Sequence, residues 1–273
     1  VVVDNDRSVI EVAFVDTPPS LFGPEPGTAT DAAGSADERG RALEGRLVVV
    51  TGASGLLGAA FAAEVVERGA RVCLIGRDMD ALRATTATLG PDAPTAHLRC
   101  DLASAEDVDS ACDFIDRIGQ PVDLLVHAAG IQAPTTIAAG SLDDLDEHYL
   151  LEVRGPYLLT QRLLPSLTES KGHVVFLTGP HSNPSDQLDA HRAISQAGVR
   201  AFAEELRREA TPMGVRVLVV GAEAGLDVAG EGAGDGAFLR ACAATVLDSM
   251  ADQALEVTEL RLRVGRVGRA ERR

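Results

Sequence analysis

The chain of 273 residues carries 41 Asp and Glu against 25 Lys and Arg, a net charge of −16. That acidity weighs against nucleic acid as a partner, and no apolar run approaches the ~20 residues of a membrane span, so a protein without a membrane partner is expected. Cys73, Cys100, Cys112 and Cys242 show no paired spacing and no basic-then-apolar leader is apparent, which points to reduced core thiols and a cytoplasmic location. Two scarcities bear on chemistry: Lys171 is the one lysine, and Tyr149 and Tyr157 are the two tyrosines.

Residues 1–45 read as an acidic, flexible extension. Ser8–Val15 suits one strand, and the stretch through Pro18, Pro19, Pro24 and Pro26 to Glu38 is a linker by composition. From Arg46 to Val264 strands and helices alternate. Strands are expected at 47–51, 71–75, 95–99, 122–127, 173–178, 215–220 and 255–264, with helices at 56–68, 78–89, 104–118, 142–169, 191–210 and around Phe238–Met250. In the helix at 191–210, Ala193, Ala197, Val199, Phe202 and Leu206 are spaced for one buried face. About seven strands with intervening helices imply a single α/β domain, a doubly wound parallel sheet with ligands at the carboxyl ends of its strands. The Arg-rich residues 265–273 form a basic tail, read as solvated.

The stretch Leu47–Gly58 organises this pattern. Val48, Val49 and Val50 form a buried strand, Gly52, Gly55 and Gly58 follow at spacing three, and Leu56 onward is helical. Such glycines allow a tight turn, let a pyrophosphate approach the backbone, and let helix pack close to strand. The helix N-terminus adds free N–H groups and partial positive charge. The alternative is a strand-to-helix turn without a ligand.

From about Ala42 to Val264 the chain resembles the short-chain dehydrogenase/reductase family. The resemblance rests on Thr51-Gly52-Ala53-Ser54-Gly55-Leu56-Leu57-Gly58, Cys100-Asp101-Leu102, Asp123 to Gly130, Gly155 to Gln161, and Leu164-Pro165. It implies a Rossmann-type fold and a nicotinamide dinucleotide held by Gly52, Ser54, Gly55, Leu57, Gly58, Asp101, Leu102, Ala129 and Gly130. It also implies a homo-oligomer, or a hetero-oligomer with a related subunit, and a small-molecule substrate whose identity is left open. Where the family carries Asn-Asn-Ala-Gly, His127 and Ala128 replace the asparagines.

Cofactor preference follows from the end of the second domain strand. A site selecting NAD places a carboxylate there for the ribose hydroxyls; Gly76 offers none, and Arg77 suits the 2′-phosphate of NADP. The competing reading pairs Arg77 with Asp78 or Asp80. For Asp101, helix capping ahead of Ser104 competes with adenine contact.

The family's catalytic residues are replaced. By the resemblance, Glu152 stands at the asparagine position, Gly179 at the serine, Arg192 at the tyrosine and Gln196 at the lysine. No tyrosine or lysine lies between residues 172 and 273, so a shifted alignment recovers neither. Thr178, His181, Ser182, Asp186, Asp189, His191 and Arg192 fall on or beside the loop after the strand at 173–178, with His127 and Glu152 approaching from neighbouring elements. His181 or His191, supported by Glu152 or Asp189, is a candidate acid or base; the plain alternative is a polar loop with Asp189 as helix cap. No metal-ligand spacing stands out. Three readings remain: an NADP-dependent oxidoreductase with a non-standard site, a catalytically silent relative serving as scaffold or regulator, and a fold reused for non-redox acid/base catalysis.

Overall fold

Short β-branched runs between helices make strands that are buried on both faces, and the computed structural model contains such a sheet. Residues 2–5, 8–11, 42–131, 133–178, 189–222, 236–251 and 259–262 are described. Near the start of the chain, β1 (Val2–Asn5) and β2 (Ser8–Glu11) pair antiparallel, a hairpin where one strand was expected. Residues 12–41 and 263–273, with the linker and the tail, lie outside the described residues.

The sheet is built from β3 (Leu47–Thr51), β4 (Arg71–Gly76), β5 (Thr95–Arg99), β6 (Val122–His127), β7 (His173–Thr178), β8 (Arg216–Ala222) and β9 (Glu259–Leu262). Their spatial order is β5-β4-β3-β6-β7-β8-β9, all pairs parallel. Six of these strands run five to seven residues; the last, at the sheet edge, is described over four, and the rest of the expected 255–264 lies outside the described residues. The order reverses between β3 and β6, which opens a crevice at their carboxyl ends.

Helices cover both faces: α1 (Leu56–Glu67), α2 (Met79–Leu89), α3 (Ala105–Arg117), α4 (Leu142–Tyr149), α5 (Gly155–Ser170), α6 (Ala190–Ala210) and α7 (Gly236–Ala251). Alternation along β3 sends Leu47 and Val49 into one core and Val48 and Val50 into the other. The first core gathers Leu159 and Leu163 of α5 and Val199 of α6; the second gathers Phe61 of α1 and Val246 of α7. Each large apolar side chain buried there contributes about 1.5–3 kcal/mol. All four cysteines are free and buried, as expected; burial pushes the Cys73 thiol up to about 12 and removes its nucleophilic form.

Helix starts follow the capping code. Ser104 accepts from the Asp107 N–H at 3.2 Å ahead of α3, and Ser141 accepts from Asp144 N–H at 3.1 Å ahead of α4. Ser104→Ala is expected to cost about 1 kcal/mol in denaturant unfolding; an unchanged midpoint would mean the turn at Asp101 holds α3 by itself.

The expected single helix at 142–169 is interrupted. Leu150–Arg154 forms a π-helical turn between α4 and α5, in which the Gly155 N–H bonds the Leu150 carbonyl. Such turns insert one residue into a helix and recur at functional sites. Here the inserted turn carries Glu152.

Candidate functional site

The glycine turn lies at the reversal of strand order. Gly52 has φ +61°, the left-handed region, and a Cβ there would stand 2.6 Å from the Ala129 backbone. A Cβ on Gly58 would stand 2.3 Å from the Gly52 carbonyl oxygen, so α1 approaches β3 as closely as glycine alone permits. Gly55 is the N-cap residue of α1 and donates to the Gly52 carbonyl at 2.9 Å. Ser54 and Gly55 are exposed and Leu57 is half-buried, leaving the turn open to a ligand.

At the end of β4, a Cβ on Gly76 would press on Leu82 at 3.2 Å and Ser54 Oγ at 3.5 Å, so glycine keeps this corner clear. Arg77 pairs with neither expected acid. Asp78 caps α2 through the Asp80 and Ala81 N–H groups, Asp80 pairs with Arg83, and Arg77 reaches Glu147 at 3.5 Å. Both members of that pair are about half exposed (53% and 52%), and such a contact is worth at most about 1 kcal/mol. Asp101 accepts from the Ala103 N–H at 3.0 Å, holding the turn ahead of α3, whose cap is Ser104. Leu102 is buried, its carbonyl oxygen against Gly155.

Beyond the turn, a cleft is lined by His127, Ala129, Gly130, Glu152, Thr178, Arg192 and Gln196, over an apolar floor that includes Phe176 and Val199. The structure thus brings together three of the four residues expected at the family's catalytic positions. Gly179 and His181, with Ser182 and Asp186, lie outside the described residues.

The lining is chemically unusual. His127 stacks on Phe176 with ring centroids 4.9 Å apart, and its Nε2 meets Thr160 Oγ1 at 2.8 Å. Its Nδ1 is buried without a hydrogen bond, and burial lowers its pKa to about 3, so it is a neutral imidazole. Thr178 Oγ1 donates to the Val220 carbonyl at 3.1 Å and is thereby tied to β8. Glu152 is 7% exposed and accepts from the Ile131 N–H at 3.3 Å. Burial pushes its carboxyl up to about 7, against the opposing pull of the Ile131 N–H and Arg192.

His191 does not line the cleft. It lies behind the wall, edge-on to His148 at 5.9 Å, and His148 Nδ1 stands 3.7 Å from Glu152 Oε1. Asp189 caps α6 by accepting from the Arg192 N–H at 3.1 Å, the plain role foreseen for it. The apolar face expected on α6 is corrected at its start: Ala193 and Ala197 are exposed, whereas His191, Ser195 and Gln196 are buried. A helix that turns polar residues inward for two turns marks a site. His148 escaped sequence reasoning, although its i,i+4 spacing to Glu152 was a usable signal. Among the described residues no cluster of metal-ligating side chains occurs, and no helix is long and apolar enough to cross a membrane.

Comparison with known proteins agrees with this geometry. Residues 46–225 match the family described as short chain dehydrogenase. D-threitol dehydrogenase of Mycolicibacterium smegmatis is 30% identical over 198 residues, covering 71% of this chain and 75% of the relative. Dehydrogenase/reductase SDR family member 11 of Bos taurus is 29% identical over 172 residues, 60% of this chain and 68% of the relative. A metagenomic short-chain oxidoreductase solved in complex with NADP superposes with a TM-score of 0.69 at 25% identity, over 82% of this chain and 99% of that one. With the glycine turn at the strand-order reversal and a matched segment that takes in β3 to β8, this chain belongs to the short-chain dehydrogenase/reductase family.

Proposed function

We propose that the protein is an NADP-dependent oxidoreductase of this family that acts on a small molecule through a non-standard site. The observation that carries the cofactor reading is Arg77, exposed at the end of β4 and opposed only by a solvent-screened contact to Glu147 among the contacts above. A 2′-phosphate offers a doubly charged, bidentate partner that outcompetes one exposed carboxylate. The turn at Gly52, Ser54, Gly55, Leu57 and Gly58 would cradle the pyrophosphate, with Ala129 and Gly130 along the ribose side. NADP is also the ligand in the complex of the metagenomic relative. When bound, it supplies or accepts a hydride.

This chain's residues have the complementary task of binding the substrate oxygen and managing its proton. Arg192 and Gln196 stand where the family has tyrosine and lysine, and an arginine is a poor proton donor at neutral pH. Glu152, with its carboxyl near neutrality, is the better acid in the cleft. A second reading, proton transfer without hydride transfer, is favoured by the same carboxyl. Isomerisation of a substrate with no change in the nicotinamide absorbance would select it.

Calorimetric titration tests the cofactor. NADPH is expected to bind more tightly than NADH, and Arg77→Ala should weaken NADPH about 10–100-fold, the loss of a charged hydrogen bond, with little effect on NADH. Equal losses for the two nucleotides would overturn the 2′-phosphate role.

A further inference from the structure

The region where α4 packs on α6, beside the cleft, conceals more ionisable groups than a structural contact needs. His148 is fully buried and neither ring nitrogen has a hydrogen bond; the Nδ1 of His191 and the Ser195 hydroxyl are likewise buried and unpartnered. Unpartnered buried polar groups cost about 1–3 kcal/mol each, so a cluster of them calls for a compensating role. None of them lines the cleft, and Glu152 alone of the three ionisable groups in the cluster does. Two glycines make room: a Cβ on Gly130 would stand 3.2 Å from Glu152 Oε1, and one on Gly140 would stand 2.4 Å from His191 Nε2.

We propose that Glu152 is the group that exchanges a proton with the ligand in the cleft, and that His148, backed by His191, is the positioning residue that holds its carboxyl for that exchange. The assignment rests on the cleft being the ligand site argued above. In one direction the Glu152 O–H bond breaks, its proton forms an O–H bond on the ligand oxygen, and the electron pair stays on a carboxylate held by the Ile131 N–H and faced by Arg192. In the other, the carboxylate takes a proton from a ligand hydroxyl. The 3.7 Å between His148 and Glu152 is long for a hydrogen bond and shortens when a ligand orders the pair, as catalytic contacts commonly do.

Among the described residues, the charged groups that face this carboxyl and its histidine come from two helices. α4 contributes Glu147, beside His148, and His148 itself; α6 and its cap contribute Asp189, His191 and Arg192; the segment at 128–131 contributes an N–H and no ionisable side chain. Burial favours the uncharged form of both Glu152 and His148, which leaves one mobile proton near neutrality.

Carboxyl carbon resonances of the intact, glutamate-labelled protein test the assignment without any cofactor, with Glu152→Gln identifying the signal. One glutamate carboxyl is expected to titrate near pH 7, and His148→Gln should move its midpoint by more than about half a unit, whereas His173→Gln, at the far end of β7, should not. A Glu152 carboxyl titrating with the surface glutamates would overturn the proposal, and a midpoint indifferent to His148 would remove that residue's role. Calorimetry at pH 7 in two buffers of different ionisation enthalpy then measures protons released on binding. The cationic ring of NADP⁺ should release more than NADPH does, and Glu152→Gln should abolish the difference. Equal release by both nucleotides in the parent protein would overturn the exchange. Failure of either to bind would count against the nucleotide reading alone, with the carboxyl titration still deciding Glu152.

Discussion

Gly58→Ala is expected to lose NADPH binding at least about tenfold and to destabilise the fold by about 2–3 kcal/mol. The nearest neighbours of the added Cβ would all be backbone: the Gly52 carbonyl oxygen at 2.3 Å, the Gly52 carbonyl carbon at 2.8 Å and Ala53 Cα at 2.9 Å. No side chain can swing away, so α1 must withdraw from β3 and take the glycine turn with it. Denaturant unfolding and calorimetry measure the two effects on one sample. Gly90→Ala is the useful contrast, because φ is +105° there and no atom lies within 4 Å of the added carbon. It carries backbone strain without crowding and should leave nucleotide affinity unchanged. A Gly58→Ala variant with parental stability and affinity would show that the close approach of helix and strand is dispensable.

Glu152→Gln should stabilise the protein by about 3 kcal/mol at pH 8, an effect that fades towards pH 4.5. The sign follows from linkage. The Glu152 carboxyl is raised in the folded protein from 4.5 to about 7, so its favourable contribution is complete below 4.5 and lost as pH rises through 7. Glutamine keeps the acceptor for the Ile131 N–H without the buried charge. Two histidines act in the opposite sense. His127 and His173 are lowered to about 3 and about 4 by burial, so the stability they confer is present above 6.5 and lost as pH falls towards those values. At pH 5 they together cost about 4 kcal/mol relative to pH 8, while Glu152 returns about 2–3 kcal/mol. The parent protein should therefore lose stability gently between pH 7 and 5, and Glu152→Gln steeply. Parallel stability curves for the two proteins would contradict the raised carboxyl.

The sheet was legible because its signal is local. β3, β6 and β7 coincide with the residues expected from apolar runs bounded by turns, and the glycine spacing located the turn between β3 and α1. The site was legible only in part. Residue identity placed Glu152, Arg192 and Gln196, and the cleft contains them, but their surroundings depend on contacts across the chain. Arg77 finds Glu147 rather than Asp78 or Asp80 because both nearby acids are engaged within α2, by capping and by Arg83. His148 follows Asp143, Asp144, Asp146 and Glu147, an acidic run that reads as a solvated helix face, yet it is fully buried. The π turn has no compositional signature at all. Ala193 and Ala197 misled for a related reason: alanine suits either side of a helix, and α6 buries His191, Ser195 and Gln196 instead.

The π turn at Leu150–Arg154 also acts as a phase shifter. One extra residue in a helical turn rotates everything after it by roughly 100° relative to what precedes it. α4 and α5 therefore obey separate clocks. α4 aims His148 into the polar wall, while α5 is free to aim Leu159, Leu163 and Leu167 at the core. A regular helix of the same direction could satisfy one of these demands and would spoil the other. A deletion of one residue in this turn would leave composition and helix length nearly unchanged, yet it would force the chain to choose between its core and its chemistry.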